Sequence, residues 1–239
     1  MNIRSHVPNA VTLLNLLSGS LSIILLFKGY IEYSALCVGL SAVFDFLDGF
    51  FAKLFNVKSF LGKELDSLAD VISFGLAPAL FLFYLMSNNE YIKASDNYLA
   101  FTPYLALFIA AFSALRLAKF NLDTRQTVSF LGLPTPANAV FFVSLVVVAL
   151  QKENEIPFLN EITGSLWVQL IVIPLSCYLL ISEIPMFALK FTKGYGLKNN
   201  MLRYSFLTIA LLCIFLFDWS GILLSVIIYI GMSLIFGDR

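Results

Sequence analysis

The sequence predicts an all-α protein: a polytopic membrane helical bundle of about eight transmembrane helices, with both termini cytoplasmic. Three observations predict it. The chain is 59% apolar, 15% aromatic and only 13% charged, with a mean hydropathy of +0.88, far from the composition of a water-soluble domain. Its apolar residues gather into runs of roughly 17 to 25 residues, the length a helix needs to cross a hydrocarbon core. Twelve of the fifteen Lys and Arg residues fall at the ends of alternate runs, which under the positive-inside rule marks one side as cytoplasmic.

The first run, 9–27, follows Pro8, a residue suited to the first turn of a helix, and carries Asn9, Thr12 and Asn15 at spacing three. It has no small-residue cleavage pattern and continues to full spanning length, so it is expected to be retained rather than removed as a signal peptide. The second run, 31–54, ends on Asp45 and Asp48, and the third, 65–86, opens on Asp66 and Asp70. Between them, Lys53 to Gly62 is long enough to let the two helices lie side by side. The fourth run, 98–119, closes on Arg116 and Lys119, with Asn121 just beyond. Pro134 and Pro136 shape the entrance to the fifth, 133–150, and Pro174 and Pro185 should kink or break the sixth, 166–190. Two crowded runs, 204–218 and 220–236, end the chain.

The basic residues of the cytoplasmic side are Arg4, Lys53, Lys58, Lys63, Arg116, Lys119, Arg125, Lys190, Lys193, Lys198, Arg203 and Arg239; Lys28, Lys93 and Lys152 face the other way. The opposite loops are acidic, with Glu90, Asp96, Glu153, Glu155 and Glu161. A net charge of zero with no basic tail argues against nucleic acid as a partner. Cys37, Cys177 and Cys213 are far apart in apolar runs, which suits buried thiols rather than disulfides or a zinc site. The single His6 reads as an interfacial residue, and the many Phe as packing and lipid-facing groups. No repeat, low-complexity segment or linker divides the chain.

The costly feature is the stretch DFLDGFFAKLFNVKSFLGKELDSLAD. Asp45 and Asp48 are three apart and Asp66 and Asp70 four apart, so each pair shares a helix face. Adjacent helices turn the pairs toward each other. Four carboxylates converging at a membrane edge repel one another and take up protons unless a positive charge sits among them. Divalent metal is the natural partner. An all-oxygen donor set without His or Cys suits Mg²⁺ or Mn²⁺, and several carboxylates can bridge two such ions about 3.5–4 Å apart. Gly49, Ala52 and Gly62 lie near the acids and leave room either for a ligand or for tight helix packing.

The spacing Asp45-x-x-Asp48-Gly49-x-x-Ala52-Lys53-x8-Gly62-x-x-x-Asp66-x-x-x-Asp70 resembles the signature of the CDP-alcohol phosphatidyltransferases, a family of membrane enzymes. One position departs from it: the family usually has Arg where this chain has Lys53, which keeps the charge and loses the bidentate fork. VPNAVTLLNLLSG, ELDSLADVISFGLAPA, SALRLAKFN and FLGLPTPANA extend the resemblance to the bacterial phosphatidylserine synthases of that family, over roughly residues 3–190. It implies a six-helix catalytic core at 1–190 and a C-terminal extension at 191–239 holding the last two helices.

The resemblance also implies a chemistry. Members displace CMP from a CDP-linked lipid with the hydroxyl of a small alcohol, here CDP-diacylglycerol and L-serine, at the cytoplasmic face of the inner membrane, and they are commonly homodimers. Asp45, Asp48, Asp66 and Asp70 are then metal ligands, with Asp70 also the base that takes the serine proton. Asn9, Thr12, Asn15, Gly49, Ala52, Lys53 and Gly62 are the expected CDP-diacylglycerol contacts. Serine would meet Arg116, whose guanidinium suits a carboxylate, with Lys119, Asn121 and Ser73 as further candidates. Glycerol 3-phosphate or inositol phosphate acceptors would ask for more cations around the pocket. A divalent-cation transporter would instead place its acids near mid-membrane and share them between repeats. A purely structural protein would leave the eight fixed positions unexplained.

Overall fold

The computed structural model describes residues 6–56, 60–94, 98–122, 130–151, 156–186 and 200–236. Of the loop charges used for orientation, Arg4, Lys58, Asp96, Arg125, Lys152, Glu153, Glu155, Lys190, Lys193, Lys198 and Arg239 lie outside the described residues. The fold begins with an antiparallel pair, α1 (Val7–Phe27) and α2 (Ile31–Leu54), joined through Gly29 at φ 82°. Pro8 sits in the first turn of α1. Leu13, Leu14, Leu17, Leu21 and Ile24 face outward on α1, whereas Thr12, Asn15, Ser18 and Ser22 are buried. This is the reverse of a soluble amphipathic helix and follows from the solvent: with lipid outside, small and polar groups hold helices together. Ser18 donates to the Cys37 carbonyl at 2.8 Å, Ser34 to the Ser22 carbonyl at 2.7 Å, and Ser41 to the Asn15 carbonyl at 3.1 Å, a ladder of hydroxyl ties along the α1–α2 seam.

The next rod is continuous from Phe60 to Ser87. It comprises α3 (Phe60–Asp70), a π-helical turn over Val71–Leu76, and α4 (Ala77–Ser87). The expected start at 65 is therefore five residues late, because the signature's second half is already helical at Phe60. After the short α5 (Glu90–Lys93), a 3₁₀ stretch over Tyr98–Ala106 leads into α6 (Leu107–Leu122). A two-residue strand β1 (Phe130–Leu131) precedes α7 (Thr135–Leu150). Phe142 to Val148 are buried on every side, making α7 the centre of the bundle.

α8 (Pro157–Gly164) and α9 (Leu166–Ile181) meet at a bend of 72°. The break lies at Ser165, and Pro174 is accommodated inside α9. The sixth run does not continue to 190. α9 stops at Ile181, since Ile184 precedes Pro185 and that position disfavours helix. Pro185–Met186 instead form β2, antiparallel to β1 with Phe130 opposite Met186. This small pairing is an addition to the all-α expectation; residues 187–190 lie outside the described residues.

α10 (Met201–Phe236) is 36 residues long and is not one rod. Its backbone breaks at Asp218 (φ 45°, ψ −120°). Ser225 donates to the Ala210 carbonyl at 3.5 Å, although fifteen residues of straight helix would separate them by roughly 22 Å. A Cβ on Gly221 would fall onto the Cys213 backbone. The segment therefore doubles back as a hairpin whose arms coincide with the apolar runs at 204–218 and 220–236.

By length and composition, five described helices can cross a membrane, or six with α8–α9 as one bent span, and α7 is a shorter apolar helix. The start of α1, the end of α2, the start of α3, the end of α6 and the start of α7 share one end of the bundle. Lys28 and Lys93 lie at the other.

Candidate active site

At that shared end, α2 and α3 bring their acids together as their spacing requires. Carboxylate oxygens of Asp45, Asp48 and Asp66 all lie within 4.8 Å of one another. Asp70 stands one turn deeper, outside this group, and is buried, as is Asp48. Each buried acid is held by α1. Thr12 Oγ1 donates to Asp48 Oδ2 at 2.6 Å, and Asn15 Nδ2 donates to Asp70 Oδ1 at 3.2 Å. The Asn15 backbone is fixed in turn, its carbonyl accepting from Ser41 and Ser73 at 3.1 Å each.

The turn after Asp70 is π-helical, a form concentrated at functional sites. Two close crossings hold it. A Cβ on Gly19 of α1 would land on Ser73, and one on Gly75 would come within 3.2 Å of Ser113 Cβ on α6. The widened turn thus seats small residues against α1 and α6 while the acids just before it face the cluster.

The acids form no ion pair among the described residues, and Asp66 Oδ1 is buried without a hydrogen-bond partner. Three mutually close carboxylates, an orphaned carboxylate oxygen and no His or Cys make a donor set that fits a hard divalent cation. Asp45, Asp48 and Asp66 are the residues able to hold it.

A cavity of about 530 Å³ opens beside the acids. Pro8, Asn9 and Thr12 of α1 line it, with Asp48, Gly49 and Ala52 of α2 and Phe60, Gly62, Lys63 and Asp66 of α3. Five of the eight signature positions therefore share one wall. A Cβ on Gly49 would meet nothing within 4 Å, so helix contact does not require this glycine and its open side belongs to the cavity. Asn15, fully buried, is not among the lining residues, nor is Lys53, which is exposed. The lysine in the wall is Lys63, whose Nζ donates to the Asn121 carbonyl at 3.0 Å.

The four residues named for serine are not brought to one place. Lys119 is exposed. Asn121 donates to Ser67 Oγ at 2.7 Å and thereby clips the end of α6 onto α3. Ser73 is fully buried and spent on Asn15. Arg116 is the one cation among them that is buried: it is 8% exposed, its Nη1 donates to Thr135 Oγ1 at 2.9 Å, and its guanidinium lies 5.3 Å from the centre of the Phe120 ring.

Residues outside the signature and its expected contacts surround it. Thr135 and Asn138 are fully buried at spacing three on α7, and Asn138 accepts from Ser176 at 2.7 Å while its Nδ2 has no hydrogen-bond partner among the described residues. Ser113, one turn before Arg116, is also buried, and its Oγ has no hydrogen-bond partner among the described residues. Polar residues inside an apolar helix are the available signal for them, since each is costly in a membrane. Gly132 places this face: at φ 76° its N–H donates to the Ile184 carbonyl at 2.9 Å, and a Cβ would come within 2.8–3.1 Å of three carbonyls at the end of α9.

The family model for CDP-alcohol phosphatidyltransferase matches residues 5–181. The chain is 37% identical over 169 residues to a CDP-diacylglycerol–serine O-phosphatidyltransferase of Helicobacter pylori, covering 70% of this chain and 66% of that protein. It is 32% identical over 171 residues to an archaetidylserine synthase of Methanothermobacter thermautotrophicus (70% and 69% covered), and 31% identical over 142 residues to a CDP-diacylglycerol–serine O-phosphatidyltransferase of Bacillus subtilis (59% and 75%). The alignment with the Helicobacter protein thus spans just under two thirds of that relative. The matched interval contains every aspartate of the cluster, the α1 residues that hold them and the whole cavity wall. On that match, the chain belongs to the CDP-alcohol phosphatidyltransferase family.

Proposed function

We propose that the protein is a phosphatidylserine synthase, transferring the phosphatidyl group of CDP-diacylglycerol to the hydroxyl of L-serine with release of CMP. The observation that carries this reading is the convergence of Asp45, Asp48 and Asp66 within 4.8 Å, with Asp48 and Asp66 in the wall of a cavity of about 530 Å³ and Asp70 buried one turn further along α3. The relatives' names supply serine as acceptor.

Asp45, Asp48 and Asp66 would hold Mg²⁺ or Mn²⁺, whose contribution when bound is to neutralise charge on the diphosphate and the departing CMP. Thr12 keeps Asp48 oriented toward the cavity, while Asn9, Gly49, Ala52 and Gly62 leave a wall against which the nucleotide lies. Asp70, held by Asn15, takes the proton of the serine hydroxyl as the new O–P bond forms and the bond to CMP breaks. Arg116 receives the serine carboxylate. Glycerol 3-phosphate and inositol phosphate bring a phosphate of their own, and one buried Arg with Lys119 turned outward suits them less well.

The same reading has eight membrane crossings in a cytoplasmic membrane, a catalytic core at 1–190 with a C-terminal extension, the cavity open to the cytoplasm, and a homodimer. Acids at one end of the bundle suit an enzyme drawing on a lipid headgroup better than a cation pathway. Purified protein given CDP-diacylglycerol, Mn²⁺ or Mg²⁺ and a panel of alcohols should release CMP with L-serine above the others and stop in excess chelator. Release that persists in chelator, or that prefers a phosphorylated alcohol, contradicts the proposal.

A further inference from the structure

Among the described residues that line the cavity, Lys63 is the one cation, and Asp48 and Asp66 are the acids. Lys63 and Asp66 are three apart on α3 and share a face of that helix. An ammonium at this spacing has the reach to pair with the carboxylate. It does not do so: among the described residues Lys63 makes no ion pair, and its Nζ donates to the backbone carbonyl of Asn121 at 3.0 Å.

That carbonyl is itself held in place. Asn121 Nδ2 donates to Ser67 Oγ at 2.7 Å, and Ser67 Oγ donates to the Lys63 carbonyl at 3.2 Å. The three contacts close a ring between the end of α6 and the first turns of α3, and the ring keeps the ammonium at the cavity and apart from Asp66. An ammonium has three N–H donors and no acceptor, and the ring uses one. Lys63 is exposed, so the other two face water until a ligand displaces it. A cation held off the acids in the same wall suits a ligand whose anionic oxygens need both: some beside the metal that the acids fit, others beside the ammonium. Lys53, the cation within the signature, is exposed and lies outside the wall.

We infer that Lys63 is a further donor-binding residue, its ammonium holding a phosphate oxygen of the CDP-lipid diphosphate while the end of α6 sets its position. The inference rests on the donor half of the proposed reaction. A phosphate suits a lysine, which acts as a point charge with rotatable donors rather than a planar fork. The acceptor is the less fitting partner, because Arg116 and Thr135 are not among the residues that line this cavity.

The test is calorimetric affinity in uncharged detergent with Mn²⁺, for CDP-diacylglycerol and for soluble CDP, which carries the same diphosphate without the lipid. Loss of a hydrogen bond to a charged group corresponds to roughly a tenfold or larger loss of binding. Lys63→Gln should therefore raise both Kd values by about tenfold or more, and Lys63→Arg, which keeps the charge, should recover most of the affinity. Ser67→Ala opens the ring without removing the cation; it should lower the melting temperature and leave both Kd values in place. Unchanged Kd values in Lys63→Gln overturn the inference, as do equal losses in Ser67→Ala, which would make Lys63 a helix clip. Weakened CDP-diacylglycerol binding with CDP binding intact also overturns it, since the ammonium would then attract only the anionic lipid surface. Both Kd values rising as expected, in a protein whose wild type releases no CMP with serine, would overturn the reaction and leave the inference standing. A wild type that binds neither ligand overturns both.

Discussion

Thr12 on α1 donates a 2.6 Å hydrogen bond to Asp48 on α2, linking residues 36 apart in sequence at the point where the acid cluster meets the cavity. The hydroxyl also lies 3.1 Å from the Pro8 carbonyl, so the first turn of α1 and the acid share one anchor. Groups that orient metal-binding carboxylates typically change affinity or activity by about 10–100-fold when removed. Thr12→Val, nearly the same shape without the hydroxyl, should therefore raise the metal concentration for half-maximal CMP release by at least about tenfold. Thr12→Ser should stay near wild type. A Val variant that titrates with metal like the wild type would assign Thr12 to helix packing alone.

Gly49 separates a ligand surface from a packing surface. Its missing Cβ leaves open space on the cavity side, and Ala is favoured over Gly within a helix by about 1 kcal/mol. Gly49→Ala should melt at or above the wild-type temperature, yet its CDP-diacylglycerol KM should rise severalfold. Thermal melts and initial rates on the same preparation decide the point; a lowered melting temperature with unchanged KM would reverse the assignment.

At Gly132 the opposite outcome is expected. Positive φ and three nearby carbonyls leave no place for a side chain, and strain of this kind costs about 1–3 kcal/mol. Gly132→Ala should lower the melting temperature and, by shifting Thr135, loosen Arg116, so that the serine KM rises along with the instability. A stable variant with an unchanged serine KM would uncouple this segment from the acceptor side.

The side of the membrane that holds the cluster can be read by labelling. In a chain with Cys37, Cys177 and Cys213 replaced, Lys58→Cys should be protected from an impermeant thiol reagent in intact cells and Asn154→Cys should react. Reaction at both positions would contradict the charge-based orientation.

The acid cluster is legible in the sequence because i, i+3 and i, i+4 spacing fixes which side chains share a face, and two adjacent helices leave such faces one way to meet. Run lengths likewise mark the rods, since a hydrocarbon core sets a minimum span. The end of α9 is not legible from hydropathy. Phe187, Ala188 and Leu189 continue the apolar run past Pro185, and only the pairing of β2 with β1 shows where the helix yields. Asn15 and Asn121 suggest ligand contacts by their polarity. The structure places their amides on Asp70 and Ser67, and polarity alone does not distinguish a group that meets substrate from one that holds a neighbour. Tyr229 is hidden for a different reason: its packing against Phe206 depends on the fold-back at Asp218, which no local pattern encodes.

In the proposed division of labour Asp45, Asp48 and Asp66 bind metal and nucleotide, while Asp70, held apart by Asn15, removes the proton. Comparing Asp70→Asn with Asp48→Asn separates the two roles, using calorimetric affinity for CDP-diacylglycerol in the presence of metal and CMP release at saturating serine. Asp70→Asn should bind with near wild-type affinity and turn over about 10²–10⁴-fold more slowly, the usual range for loss of a general base. Asp48→Asn should lose metal and CDP-diacylglycerol affinity together. Near wild-type turnover in Asp70→Asn, or a loss of affinity matching that of Asp48→Asn, would contradict this division and make Asp70 a fourth metal ligand.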